Sequence, residues 1–152
     1  MIVLLALLIG TVAGLRAMTA PAAIAWSAHL GILDLRHSWL AWLGSGVAAW
    51  LLGAAAVAEI VNDKLPSTPS RKIPVQFGTR LLTGGLAGAA IALPSGAWIP
   101  GVIAGVIGAV IGTYAGAAAR AANARMFDSD RPGAFLEDIV AIGAAIAIVS
   151  LS

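Results

Sequence analysis

The chain has no cysteine. That excludes disulfides, thiolate metal sites and cysteine nucleophiles, and it leaves the compartment open. Charge is scarce too. Only 11% of the 152 residues are Asp, Glu, Lys or Arg, against about 25% in a soluble domain. Polar and apolar residues do not alternate in segments of about ten, so a transmembrane β-barrel is not indicated. Histidine occurs twice, at His29 and His37. There is no H-E-x-x-H, no G-x-S-x-G, no P-loop and no G-x-G-x-x-G before a helix. The chain is therefore expected not to be an enzyme, with no cofactor and no metal site.

What remains is apolar. Hydrophobic residues make up 60% of the chain, and the mean hydropathy is +0.95. Continuous stretches of Ala, Leu, Ile, Val and Gly predict an all-α, polytopic membrane protein. The length fits a single transmembrane domain, 1–152. The formal net charge of +2 argues against nucleic acid as a partner and leaves membrane lipid as the expected one. The apolar start, Met1 to Ile9, has no basic residue before it. Ala20-Pro21-Ala22 is a poor cleavage site, so the segment reads as retained.

Five apolar blocks predict about five transmembrane helices. The first, Met1 to Leu33, is longer than one span needs. Pro21 is expected to kink or break it, leaving either one tilted helix or a broken, re-entrant pair. The second runs from Ser38 to Ile60, and a proline-rich polar loop follows from Asn62 to Gln76. The third covers Phe77 to Leu93, and Pro94-Ser95-Gly96 turns the chain. The fourth runs from Ile99 to Ala119, with a polar loop from Arg120 to Pro132, and the fifth from Gly133 to Leu151. Lys64, Arg71, Lys72, Arg120, Arg125 and Arg131 all sit in the second and fourth loops. The positive-inside rule then predicts a cytoplasmic N-terminus and an outside C-terminus. Trp26, Trp39, Trp42 and Trp98 flank the two outer loops, as interfacial rings do, with Trp50 the exception near mid-helix.

A shift of 64 residues aligns Gly14-Leu15-Arg16-Ala17-Met18-Thr19 with Gly78-Thr79-Arg80-Leu81-Leu82-Thr83. This suggests a parallel two-helix repeat, units 14–62 and 78–126, with the helix over 133–151 appended. Gly101, Gly105, Gly108, Gly112 and Gly116 share one face of the fourth helix. Such a row lets another helix approach closely. Intrachain packing is its expected role, ahead of a dimer seam or a pore-lining groove, and Gly84, Gly85 and Gly88 are expected opposite it.

The charges at membrane depth carry more chemistry. Arg16, Glu59, Arg80, Arg120, Glu137 and Asp138 fall near one predicted boundary and are expected to interlock. Asp63 and Lys64 adjoin Glu59. The eight are read as a substrate-binding or ion-pair cluster, the bland alternative being structural ion pairs at helix ends. Asp128-Ser129-Asp130 is read as a helix-breaking loop rather than a divalent-ion site.

Three segments resemble a known family. They are Gly14-Leu15-Arg16; Glu59-x-x-x-Asp63-Lys64-Leu65-Pro66 with Arg80 downstream; and Arg120 followed by Glu137-Asp138. The chain resembles the uncharacterised small bacterial membrane proteins called domain of unknown function 4126. The resemblance implies a multi-spanning protein of the bacterial inner (cytoplasmic) membrane and supplies no activity. The leading expectation is a small transporter or channel for an anionic or proton-coupled solute, working as a homo-oligomer, with a dimer favoured. The alternative is a non-catalytic subunit or scaffold packed against lipid or a larger membrane complex.

Overall fold

The structure, a computed structural model, describes residues 1–63, 74–127 and 131–152. Among them all regular structure is helical. Six α-helices occur: α1 (Ile2–Leu15), α2 (Thr19–His29), α3 (Gly46–Asn62), α4 (Pro74–Ala92), α5 (Trp98–Phe127) and α6 (Arg131–Ser150). Single 3-10 turns cover Ala41–Gly44 and Leu93–Ser95. Two helices are long and apolar enough to cross a membrane, over Trp98–Asn123 and Gly133–Ser150.

Five helices become six because the first apolar block is two helices. The break falls at Arg16 to Met18, not at Pro21. Pro21 lies in the first turn of α2, where a missing N–H costs no intrahelical bond. Arg16 instead ends α1 with an extended backbone, φ −139° and ψ 108°.

The third helix starts eight residues later than the apolar pattern suggests. The reason is Gly44-Ser45-Gly46. The Ser45 hydroxyl accepts a hydrogen bond from the Ala48 N–H at 3.1 Å and caps α3. Trp50 therefore stands in the early turns of α3 rather than mid-span. Its ring meets that of Trp26 edge-on, with centroids 5.1 Å apart. Ser45→Ala is expected to cost about 1 kcal/mol, read as a lower melting temperature of the detergent-purified protein. An unchanged melt would show the cap to be dispensable.

At the other boundary, α5 outruns its expected end at Ala119. Residues 117–125 are mostly Ala and Arg, strong helix formers, and the helix continues to Phe127. The loop expected over Arg120 to Pro132 shrinks accordingly. Lys64, Arg71, Lys72 and Asp128-Ser129-Asp130 lie outside the described residues.

The glycine row decides the packing. α5 packs most extensively against α1 and α4. A Cβ on Gly105 would fall on the carbonyl oxygen of Gly84, and one on Gly101 would meet that of Gly88. On Gly108 it would fall on the Leu7 carbonyl, and on Gly112 on the Thr11 carbonyl. The row thus receives two helices, α4 along its first half and α1 along its second, backbone against backbone. Gly85 of α4 instead faces the Val102 and Val106 side chains. Gly116 is buried farther along α5.

These pairings fix the directions. α1 runs parallel to α5, and α4 runs antiparallel. α2 turns back from the end of α1, and the loop after it brings Trp39 to Trp98 at the start of α5, with ring centroids 6.3 Å apart. α6 begins where α5 ends, with Gly133 against Asn123. It runs back until Ile148 and Val149 share the core with Leu5. Met1 and Ser150 therefore stand at one end of the bundle. The expectation of termini on opposite sides assumed that the first block crosses once. Its reversal at Arg16 makes α1 and α2 a hairpin and leaves Met1 and Ser150 at the same end of the bundle.

Candidate functional site

The hairpin turn between α1 and α2 is where the charges meet. A break in a helix exposes carbonyls on one side and N–H groups on the other. Here each set is taken up by an ion of opposite sign. The Arg80 guanidinium donates to the carbonyl oxygens of Gly14, at 2.5 Å, and Leu15, at 2.8 Å. The Glu59 carboxylate accepts from the backbone N–H groups of Ala17, at 2.9 Å, and Met18, at 2.8 Å. Both placements also suit the helix dipoles, cation at the C-terminal end and anion at the N-terminal end. Arg80 and Glu59 then face each other at 3.8 Å.

A second layer ties this turn to the remaining helices. Arg16 is 1% exposed. Its guanidinium pairs with Asp63 at 2.9 Å and with Asp138 of α6. Arg120 of α5 bridges Asp63 and Glu137, its Nε donating to Glu137 at 2.7 Å. Thr113 of α5 adds a hydroxyl that donates to the Ala109 carbonyl at 2.8 Å and to the Gly14 carbonyl at 3.3 Å. Each buried ion carries a desolvation cost of several kcal/mol, which only close pairing offsets.

Of the eight residues expected to cluster, the structure brings seven together: Arg16, Glu59, Asp63, Arg80, Arg120, Glu137 and Asp138. Lys64 lies outside the described residues. Arg16 and Asp63 cap the ends of α1 and α3 and Glu59 closes α3, while Arg80, Glu137 and Asp138 stand about a turn inside their helices, as the pattern suggests, and only Arg120 departs from its expected helix end. Arg80 is in the second turn of α4, and Glu137 and Asp138 are in the second turn of α6. Arg120 lies within α5, with two further turns beyond it. Three guanidinium groups meet four carboxylates, so the seven carry one formal negative charge in excess. The glycine row takes no part; it holds the helices that carry these groups.

A cavity of about 390 Å³ opens beside the cluster, between α3 and α4. Glu59, Asp63 and Arg80 line it together with Asn62, Gln76 and Thr79. Sequence reasoning missed the backbone partners at the break, because any residue offers a carbonyl and an N–H. It also missed Thr113, whose only signal is a hydroxyl within a run of Gly, Ala, Ile and Val. Among the described residues no group of three or more His, Asp or Glu could hold a metal ion.

The outside of the bundle is apolar as well as the inside. Ile103, Ile107 and Ile111 form an exposed stripe on α5, and Leu82, Ile139 and Ile146 are exposed on α4 and α6. The molecule is a glycine-packed helical bundle built around a broken, ion-paired hairpin. It belongs to the family described as domain of unknown function (DUF4126), whose model matches residues 3–152. No curated protein and no solved structure matches the chain.

Proposed function

We propose that the protein is a multi-pass integral membrane protein of the bacterial inner membrane and that the broken hairpin is the working site of a small proton-coupled transporter or channel. One observation carries the reading: both helix ends at the break are held by ionisable side chains from other helices, Arg80 on the carbonyls and Glu59 on the N–H groups. Discontinuous helices of this kind make the ion and substrate sites of many transporters. The exposed apolar stripes on α4, α5 and α6 suit contact with lipid. The charged end faces the cytoplasm on this reading, because Lys64, Arg71 and Lys72 follow α3 in sequence, Arg125 is in the last turn of α5 and Arg131 opens α6. Both termini then lie outside.

A proton or small cation fits the site better than an anion. The arginines already meet carboxylates or carbonyl oxygens, and the seven groups carry an excess of acid. A repeat reading is compatible with the directions: α2 and α4 run away from the charged end, α3 and α5 toward it, and Arg16 and Arg80 open the two units. A second copy would supply the further helices that a pathway needs. The alternative is a scaffold or membrane subunit whose charge network is purely a staple. Its specific support is that the same ions pair with one another.

Flux separates the two. Purified protein in proteoliposomes carrying a pH-sensitive dye is expected to pass protons above the level of empty vesicles under an imposed potential. Glu59→Gln and Glu137→Gln are expected to bring the flux down to that level. Wild-type vesicles indistinguishable from empty ones, with Na⁺, K⁺ and chloride probed alongside protons, would leave the staple as the better account.

A further inference from the structure

α3 is attached differently at its two ends. At its start, Ser45 caps it, Ala48 and Ala49 are buried, and Trp50 packs on Trp26. Those two alanines are the only buried residues of its 17. Its substantial packing is against α2 and the 3-10 turn that precedes it. Farther along, Val57 and Val61 are exposed.

The end of α3 is held by charge. Glu59 reaches the N–H groups of Ala17 and Met18, and Asp63 receives both Arg16 and Arg120. Between this end and α4 lies the cavity of about 390 Å³, with Ala55 and Ala58 on one wall and Gln76 and Thr79 on the other. Among the described residues no backbone-on-backbone glycine contact clamps it; a Cβ on Gly53 of α3 would meet the Trp26 ring nitrogen at 3.0 Å, a side-chain contact. At the start of α3, a Cβ on Gly44 or Gly46 would make only ordinary contacts, at 3.5 Å and 3.4 Å. Around Gly105 and Gly108, by contrast, backbone meets backbone.

We propose that α3 is a hinged arm that pivots at Gly44–Gly46 and whose ion-paired tip closes the cavity over the helix break. Glu59 and Asp63 are four residues apart, one turn of the same helix, so they leave together. One swing would uncover the Ala17 and Met18 N–H groups and release Arg16 and Arg120 from Asp63. A packed helix has no such single release, whereas a helix held at one end by ions does. The inference rests on packing and ion pairs, and it does not depend on which solute crosses.

The absence of cysteine makes the test direct, since spin labels enter only at introduced sites. One labelled pair, Val61→Cys near the tip of α3 with Val75→Cys at the start of α4, reports the separation of the two helices beside the cavity. A second, Leu82→Cys with Ile103→Cys, reports the α4–α5 contact. All four positions are exposed. Electron–electron distances are measured on the full chain in nanodiscs, with and without Glu59→Gln plus Asp63→Asn. The first pair is expected to broaden and lengthen by about 5 Å or more in the carboxamide variant, the scale of a one-turn displacement, while the second stays unchanged. An unchanged first pair would show that packing holds α3. A broadening of both pairs would show that the charges hold the whole bundle. Either result overturns the arm.

Discussion

Gly105→Ala is expected to be among the most damaging single methyl additions this chain can suffer. The new carbon would land on the Gly84 carbonyl oxygen, which is backbone and has no rotamer to yield. Moving α4 away opens the Gly88–Gly101 contact as well. Moving α5 away pulls Gly108 and Gly112 off α1. Overpacking costs about 1–3 kcal/mol where side chains can adjust and more where they cannot. Here about 3 kcal/mol or more is expected. For a chain of this size that is a fall of about 10 °C in melting temperature, measured by heating in detergent and following the monodisperse fraction. The control is Gly143→Ala on α6, where a Cβ would meet nothing within 4 Å. There the change relieves a mid-helix glycine and should be neutral or gain about 0.5–1 kcal/mol. Equal melting of the two variants would refute the close approach at α5.

Arg16→Met carries the second large effect. The volume is nearly kept, but Asp63 and Asp138 lose a buried cation between them. Breaking a buried pair by removing one partner typically costs about 3–5 kcal/mol, and that range is expected here. Arg16→Lys should rescue little, because a point charge cannot replace a planar fork that reaches α3 and α6 at once. Adding Asp138→Asn to Arg16→Met should restore part of the loss, with a coupling of about 1–3 kcal/mol for groups in contact. Melting of all four proteins closes the cycle. A strictly additive result would mean that the pair contributes nothing to the fold.

The composition of the sequence carried the helical class, and rarity carried the cluster. With so few charges in an apolar chain, Glu59, Arg80, Arg120, Glu137 and Asp138 stand out, and seven of the eight residues singled out meet at one turn. What sequence could not supply was the reversal at Arg16. A run of apolar residues reads the same whether it crosses once or folds back, and proline at 21 pointed to the wrong place. The row on α5 was visible as spacing, but spacing does not say that α4 and α1 share it. Nor does it separate Gly105, locked against backbone, from Gly143, which touches nothing. The start of α3 was hidden for a related reason, since apolar residues from Trp39 to Leu43 look helical until Ser45 is seen capping the helix after them.

The hairpin also bears on how such a chain is made. A ribosome delivers α1 and α2, with Arg16 at their tip, before α3 to α6. The acids that neutralise Arg16 arrive later, Asp63 at the end of α3 and Asp138 on α6. The nascent hairpin therefore carries an unmatched cation, and the bundle cannot lock until α6 has been made.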